Sequence, residues 1–243
     1  MKNSVKLLFV FIIALSCHPA EAQTSNIDVV GGGTGLTDYA GFHEPKGILA
    51  KKKEMAYEDV DGNSFWSEGW HPAILEQFKG GKFRLRKIKL NFYTNDIHFL
   101  NNKNEEYLLT SGVIQKIVFI DEKDTSKVLA RFEKFKETHD VFVEVMNSGE
   151  TQLLKSTHIT LRKMEYNQFR NESRFRFIPN EKYFIRHQNV ITKLSSLSKS
   201  AVLEVMKPNT RQEEWLKTNK NKLRNEKEVV AFFTFCNSIE SKE

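Results

Sequence analysis

"FRLRKIKLNFY", Phe83 to Tyr93, decides the fold class. Phe83 and Leu85 alternate with Arg84 and Arg86, and Ile88, Leu90 and Phe92 alternate with Lys89 and Asn91. A two-residue period belongs to a strand with one face buried and the other in water. The apolar parity shifts between Leu85 and Ile88. Both halves can keep the same buried face only if the strand takes in an extra residue, so a β-bulge is expected near Arg86-Lys87. Just upstream, "KGGK" supplies the glycines of a hairpin turn after "HPAILEQF".

The same grammar continues toward the C-terminus. "TND" turns into "IHFL", "NNKNE" into "EYLL", and "VIQKIVFI" reaches "KVLARFEKF" through "DEKDTS". "KETHD" leads to "VFVEVM", "NSGE" to "QLLKSTHITLRKM", "YNQFRNE" to "SRFRFI" and "PNEK" to "YFIRH", with a further short strand at Val190–Leu194. That makes about ten strands at hairpin spacing, rich in aromatic and β-branched residues. No crossover helix interrupts them, so the sheet is expected to be antiparallel and mostly a meander.

After Leu194 the period becomes helical. "SLSKSAVLEVM" stops at Pro208, "TRQEEWLKTNK" offers Thr210 and Glu213 as a capping box, and "NEKEVVAFFTFCNSI" offers Asn225 as a cap. Val229, Phe232, Phe233 and Cys236 fall on one helical stripe, which makes Cys236 a core residue first. The expected architecture is mainly β, an all-β domain with a helical appendage. Its sheet is a curved antiparallel meander, sandwich or open barrel, followed by about three C-terminal helices. The chain divides into a signal peptide (1–22), a low-order segment (23–62), a β-domain (63–194) and a helical segment (195–243). A membrane-spanning barrel fits poorly, since these strands are short and Lys/Arg-rich.

The N-terminus reads as an export signal. Lys2 and Lys6 precede the apolar run "LLFVFIIALS", and Ala20-Glu21-Ala22 supplies a small-x-small site for cleavage between Ala22 and Gln23. A lipoprotein signal acylated at Cys17 is the competing reading, although "ALSC" lacks the usual preceding Leu. The expected address is the periplasm, the outer membrane or the medium. Cleavage leaves a mild basic excess and Cys236 as the one cysteine, so the fold rests on core burial without an intrachain disulfide. Lys-rich patches then form solvated faces or meet an acidic envelope surface; nucleic acid is not expected as a partner, and no transmembrane span remains.

Candidate chemistry is sparse. In "NIDVVGGGTGLTDYAGF", Asn26 to Phe42, Gly31 and Gly33 fit a dinucleotide fingerprint, but Leu36 replaces its third glycine and no amphipathic helix follows. No cofactor is expected. Asp59, Asp61 and Asn63 alternate as calcium ligands do, yet glycine and glutamate are missing from the places a calcium loop needs them, so a solvated turn is the simpler reading. Six of the seven histidines lie beyond the cleavage site (His43, His71, His98, His139, His158 and His187); they contain no zinc-type local pair, and His98 and His158, both inside strand patterns, are the candidates for meeting in space. Glu133 and Glu144 lie mid-strand as candidate acid/base carboxylates, and Asn171-Glu172-Ser173 forms a glycosylation sequon. Phe65, Trp66 and Trp70 cluster around a glycine, either as a ligand platform or as an anchor for the N-terminal segment.

The order of these features, from the signal through "FWSEGW" (65–70), "LNFYTNDIHFLNNKNEEY" (90–107), "VFVEVMNSGETQLLK" (141–155) and "YFIRHQNVITKL" (183–194) to a terminal "FFTFCNSI", resembles a group of secreted bacterial envelope proteins of unassigned function. The resemblance runs from about Ser64 to Ile239 and brings no catalytic residues with it. The functional expectation is an exported, non-enzymatic binding or interaction module whose partner is an envelope protein or an apolar, lipid-like ligand. The alternatives are an envelope-polymer hydrolase and a structural part of a surface assembly.

Overall fold

A computed structural model describes residues 49–51, 60–109, 111–164 and 175–240. The readings at Cys17, Ala22-Gln23, the Gly31–Gly33 cluster, Asp59 and the Asn171 sequon lie outside the described residues.

The protein is mostly β: one large open sheet, nearly all antiparallel, followed by three helices. The strands are β1 (Leu49–Lys51), β2 (Val60–Asp61), β3 (His71–Gln77), β4 (Lys82–Leu90), β5 (Ile97–Leu100), β6 (Glu106–Leu109), β7 (Ile114–Ile120), β8 (Val128–Lys134), β9 (Phe142–Val145), β10 (Gln152–Lys163), β11 (Phe175–His187) and β12 (Val190–Lys193). From the central β3 the chain runs out through β4, β5 and β6. It then returns to the other flank of β3 and continues through β7 to β12 in order. Three features depart from a simple antiparallel meander: that return, the pairing of β1 with β6, and the parallel pairing of β2 with the start of β11.

The bulge falls where the parity shift puts it. Ala73 pairs with Leu85 but His71 pairs with Ile88, so Arg86 and Lys87 together stand opposite Pro72. Leu85 and Ile88 are both buried as a result. Gly80 closes the β3–β4 hairpin at φ +90°, where a side chain would be strained.

The expected break at "PNEK" is absent, because β11 runs straight through Pro179 opposite Ile159. The Ile159 N–H points away from β11, toward the Phe92 carbonyl at 3.3 Å. The Ile159–Pro179 pair therefore exchanges no ladder bonds, and the N–H that proline lacks would have faced away from β10. On that side β2 and β12 cover only the two ends of β11.

The same bond shows how far the sheet curls. Phe92 follows β4, and Ile159 lies on β10, five strands along the path. In a flat sheet they would be roughly 24 Å apart. A second closure joins the Phe142 N–H to Asn95 Oδ1 at 3.3 Å. The coil brings the β4–β5 turn onto β9 and β10 and wraps one apolar face around itself. Phe119, Phe132 and Phe142 fill this interior with Leu75, Ile88, Leu90, Ile97 and Ile117.

The helices are α1 (Lys199–Met206), α2 (Thr210–Thr218) and α3 (Glu226–Glu240). Ser198 caps α1, and Asn225 Oδ1 accepts from Glu228 N–H at the start of α3. The capping box of α2 sits one residue earlier than Thr210–Glu213. Asn209 is extended and exchanges bonds with Gln212, which leaves Thr210 as the first helical residue. An amide at the cap satisfies the same orphan N–H as a hydroxyl would. Val202, Leu216, Val229, Phe232, Phe233 and Cys236 pack against Leu153 and Ile185, which joins the helices to the β10–β11 end of the sheet. Burial pushes the Cys236 thiol up to about 12, as befits a core residue. No helix among the described residues is long and apolar enough to cross a membrane.

Candidate functional site

The densest group of ionisable side chains lies where the curled sheet meets α3. Phe132, Glu144, Lys155 and Tyr183 form one row across β8, β9, β10 and β11, each directly opposite the next, so all four face the same way. Glu181, two residues from Tyr183, shares that face, and Glu226 descends on it from the first turn of α3. Lys155 Nζ donates to Glu181 Oε1 at 2.7 Å and to Glu226 Oε1 at 2.8 Å. The Tyr183 hydroxyl lies 2.9 Å from Glu181 Oε2 and 2.7 Å from Glu226 Oε1. Its single proton serves one carboxylate at a time.

The electrostatics hold most of these groups in their resting forms. Burial opposes the charge on Lys155, but its bonds to Glu181 and Glu226 outweigh that and raise its pKa. Burial, then the two glutamates, pushes the Tyr183 phenol far above its ordinary value. Glu226 is held below the carboxylate range, since donation from Lys155 and Tyr183 overcomes its burial. The N-terminal end of α3 also favours an anion there. Glu144 alone moves toward neutrality: burial raises it, Lys155 opposes this, and Glu226 and Glu181 add to the rise. A proton-transfer catalyst needs groups poised near the working pH. Here the cation, the phenol and one carboxylate are each locked away from it, and the arrangement works as a clamp between helix and sheet.

Glu133 and Glu144 are not an acid/base pair. Glu144 stands opposite Phe132, so its neighbour Glu133 occupies the other face of the sheet. There Glu133 meets Lys116 at 2.9 Å, beside the Glu76–Lys82 pair at 3.3 Å, in a ladder of alternating charge across β4, β3, β7 and β8.

The aromatic segment is anchored to the sheet. The Trp66 N–H bonds Leu90 O at 2.9 Å, and the Phe92 N–H bonds Ser64 O at 2.8 Å. The Trp66 ring stacks on Phe119 at 4.4 Å and meets Phe132 edge-on, sealing the interior. The Lys89 ammonium lies over both the Phe65 and Trp70 rings, 5.2 and 4.9 Å from their centres. Both rings are thus engaged by the protein's own cation.

Asp61 pairs with Arg176 at 3.4 Å, and Asn63 Oδ1 accepts from the Phe65 N–H at 2.9 Å, so both have work in holding this segment. Among the described residues no group of three His, Cys, Asp or Glu could hold a metal ion. His98 is buried on β5 against Glu106 and the edge of Phe65, whereas His158 is exposed on β10 opposite Asn180. Sequence reading missed one pair, Ser67 Oγ and His71 Nε2 at 2.8 Å, with the Gly69 N–H donating to the same hydroxyl. Among the described residues His71 has no carboxylate partner, the group that orients a catalytic imidazole, and the pair closes the loop.

Lys155, Tyr183, Glu181 and Glu226 were also missed. The signal available was parity, and only for Lys155, which falls in phase with Leu153, Ile159 and Leu161; in "VFVEV" the valines take the other phase and leave Glu144 looking like a polar-face residue.

This geometry defines a class of protein: a single coiled, mostly antiparallel sheet with its own rings packed inside, followed by three terminal helices, the last of them tied to the sheet by the Lys155–Glu226 ion pair. No family model, no curated protein and no solved structure matches the chain.

Proposed function

We propose that this chain is an exported envelope protein acting as a non-enzymatic interaction module. The observation that carries the reading is the clamp. The richest ionisable cluster holds Lys155 and Tyr183 protonated and Glu226 ionised, and spends them on joining α3 to β10 and β11. The interior of the coil is taken up by Phe119, Phe132, Phe142 and Trp66, which favours contact through the outer surface. Export is supported by the leader-like start and by the resemblance to secreted envelope proteins.

Binding of the labelled full chain to isolated cell-envelope fragments tests this. The expected result is saturable binding, competed by unlabelled protein, without release of soluble fragments. Fragment release that disappears in Glu144→Gln would establish the hydrolase instead, and absence of saturable binding defeats the interaction reading.

A further inference from the structure

We propose that Phe65 and Trp70 form a binding site for a quaternary ammonium group of the choline type, filled here by the chain's own Lys89. The Lys89 ammonium lies 5.2 Å from the centre of the Phe65 ring and 4.9 Å from that of Trp70. Among the described residues no carboxylate or other hydrogen-bond acceptor meets it, so the two ring faces are what hold the charge. That sets this cation apart. Other cations over rings have polar partners as well: Lys134, over Phe142, faces Asp140 and Asp96, and Arg186, over Phe135, bonds Gln152 and Asn189.

The rings are fixed and their occupant is not. Phe65 bridges to Asn91, two residues from Lys89, and Lys89 stands opposite His98, so Phe65, Lys89 and His98 share a face. The buried His98 supports the Phe65 ring at 4.9 Å, and the Phe65 N–H bonds Asn63. Trp70 leads into β3 from the loop that the Ser67–His71 bond closes at 2.8 Å. Lys89 instead reaches the rings on a flexible stem, which gives up rotamer freedom to stay there. Phe65, Trp70 and Lys89 are all partly exposed, so a ligand can reach the rings. A lysine ammonium brings N–H donors that ring faces satisfy poorly. A trimethylammonium carries the same charge with no donors and more apolar surface, which makes it the better occupant. Lys89 is then a tethered competitor that the ligand displaces.

Calorimetric titration of the full chain with choline tests this. Lys89→Ser is expected to bind choline at least about tenfold more tightly than the parent, since the competitor is gone. Adding Trp70→Leu should abolish that binding, and ethanolamine should bind Lys89→Ser more weakly than choline does. In the parent, ring currents should move the Lys89 ε-methylene proton resonances upfield, and saturating choline should return them to the ordinary lysine position. Equal affinity in parent and Lys89→Ser, binding that survives Trp70→Leu, ethanolamine binding as tight as choline, or a Lys89 signal that choline leaves in place each overturns the inference. The last needs no variant to fold. Binding to phosphatidylcholine vesicles that choline competes away would place the group on a lipid, and choline binding without vesicle binding would place it on a soluble molecule. These readouts concern the ring site alone, so this inference and the envelope-binding reading can each fail without the other.

Discussion

Lys155 Nζ lies 2.8 Å from Glu226 Oε1, and through this contact the middle of β10 holds the first turn of α3. The lysine is the one cation facing Glu144, Glu181 and Glu226 in this group, so its removal leaves three carboxylates crowded at a partly buried seam. Lys155→Met is expected to cost about 2 kcal/mol at neutral pH, less than a fully buried pair would, because Glu181 and Glu226 reach water. Without the cation, burial carries the folded pKa values of Glu144 and Glu226 above the unfolded ones, so the folded state binds more protons. The deficit should therefore shrink as pH falls from neutral toward about 4.5. Urea titrations of both proteins across that range check it, and a pH-independent deficit refutes the account.

A second clamp ties the same helix to the β9–β10 turn. The Asn237 carboxamide accepts from the Thr151 N–H at 2.8 Å and donates to the Ser148 and Thr151 carbonyls at 2.8 and 2.9 Å. Gly149, at φ +110°, lies so close beneath it that an added Cβ would overlap the amide. Gly149→Ala is expected to destabilise by about 2–4 kcal/mol through strain and displacement of Asn237. Asn237→Ala alone should cost about 1–2 kcal/mol. The double variant should be less destabilised than the sum of the two, since the small side chain at 237 makes room for the methyl. Additive losses in thermal melts would show that the two positions act independently.

Pro179 provides a test of how β10 and β11 are bonded. Its missing N–H would face away from β10, so Pro179→Val should change stability by no more than about 0.5 kcal/mol. The neighbouring Ile178 pairs with Thr160 one step along, where the ladder does exchange bonds. Ile178→Pro should therefore cost roughly 3 kcal/mol. Comparable losses in the two variants would refute the assigned bonding pattern.

Those contrasts show which parts of the fold could be read in advance. Alternation in "FRLRKIKLNFY" marks the strand and its bulge because both are local consequences of keeping Leu85 and Ile88 on one face. "PNEK" misleads because a proline is compatible with a strand wherever its N–H side is unpaired, and that depends on where β2 and β12 end. The return of β7 to β3 and the closure of Phe92 on Ile159 join residues far apart in sequence, and no local period records them. The clamp is half-legible. Lys155 breaks the apolar phase of Leu153, Ile159 and Leu161, but its meeting with Glu226 depends on where α3 lands.

The buried lysine at the end of the coil yields the last prediction. Lys134 pairs with Phe142 across β8 and β9 and is 6% exposed, its ammonium 4.4 Å from the centre of the Phe142 ring. Burial depresses its pKa to about 8, while Asp140 and Asp96 oppose the shift. A folded pKa below the unfolded value of about 10.4 means that the unfolded chain holds the proton more tightly. Stability should thus rise as pH climbs from about 8 to about 10.4, by roughly 3 kcal/mol at the limit, from this group alone. Lys134→Met keeps the apolar stem against Phe142 and removes the charge that burial penalises. It is expected to be more stable than the parent at pH 7 and to lose this alkaline rise. Paired urea titrations at pH 7 and pH 10 measure both effects. A variant less stable than the parent at pH 7 would mean that Asp96, Asp140 and the ring more than offset the burial of the ammonium.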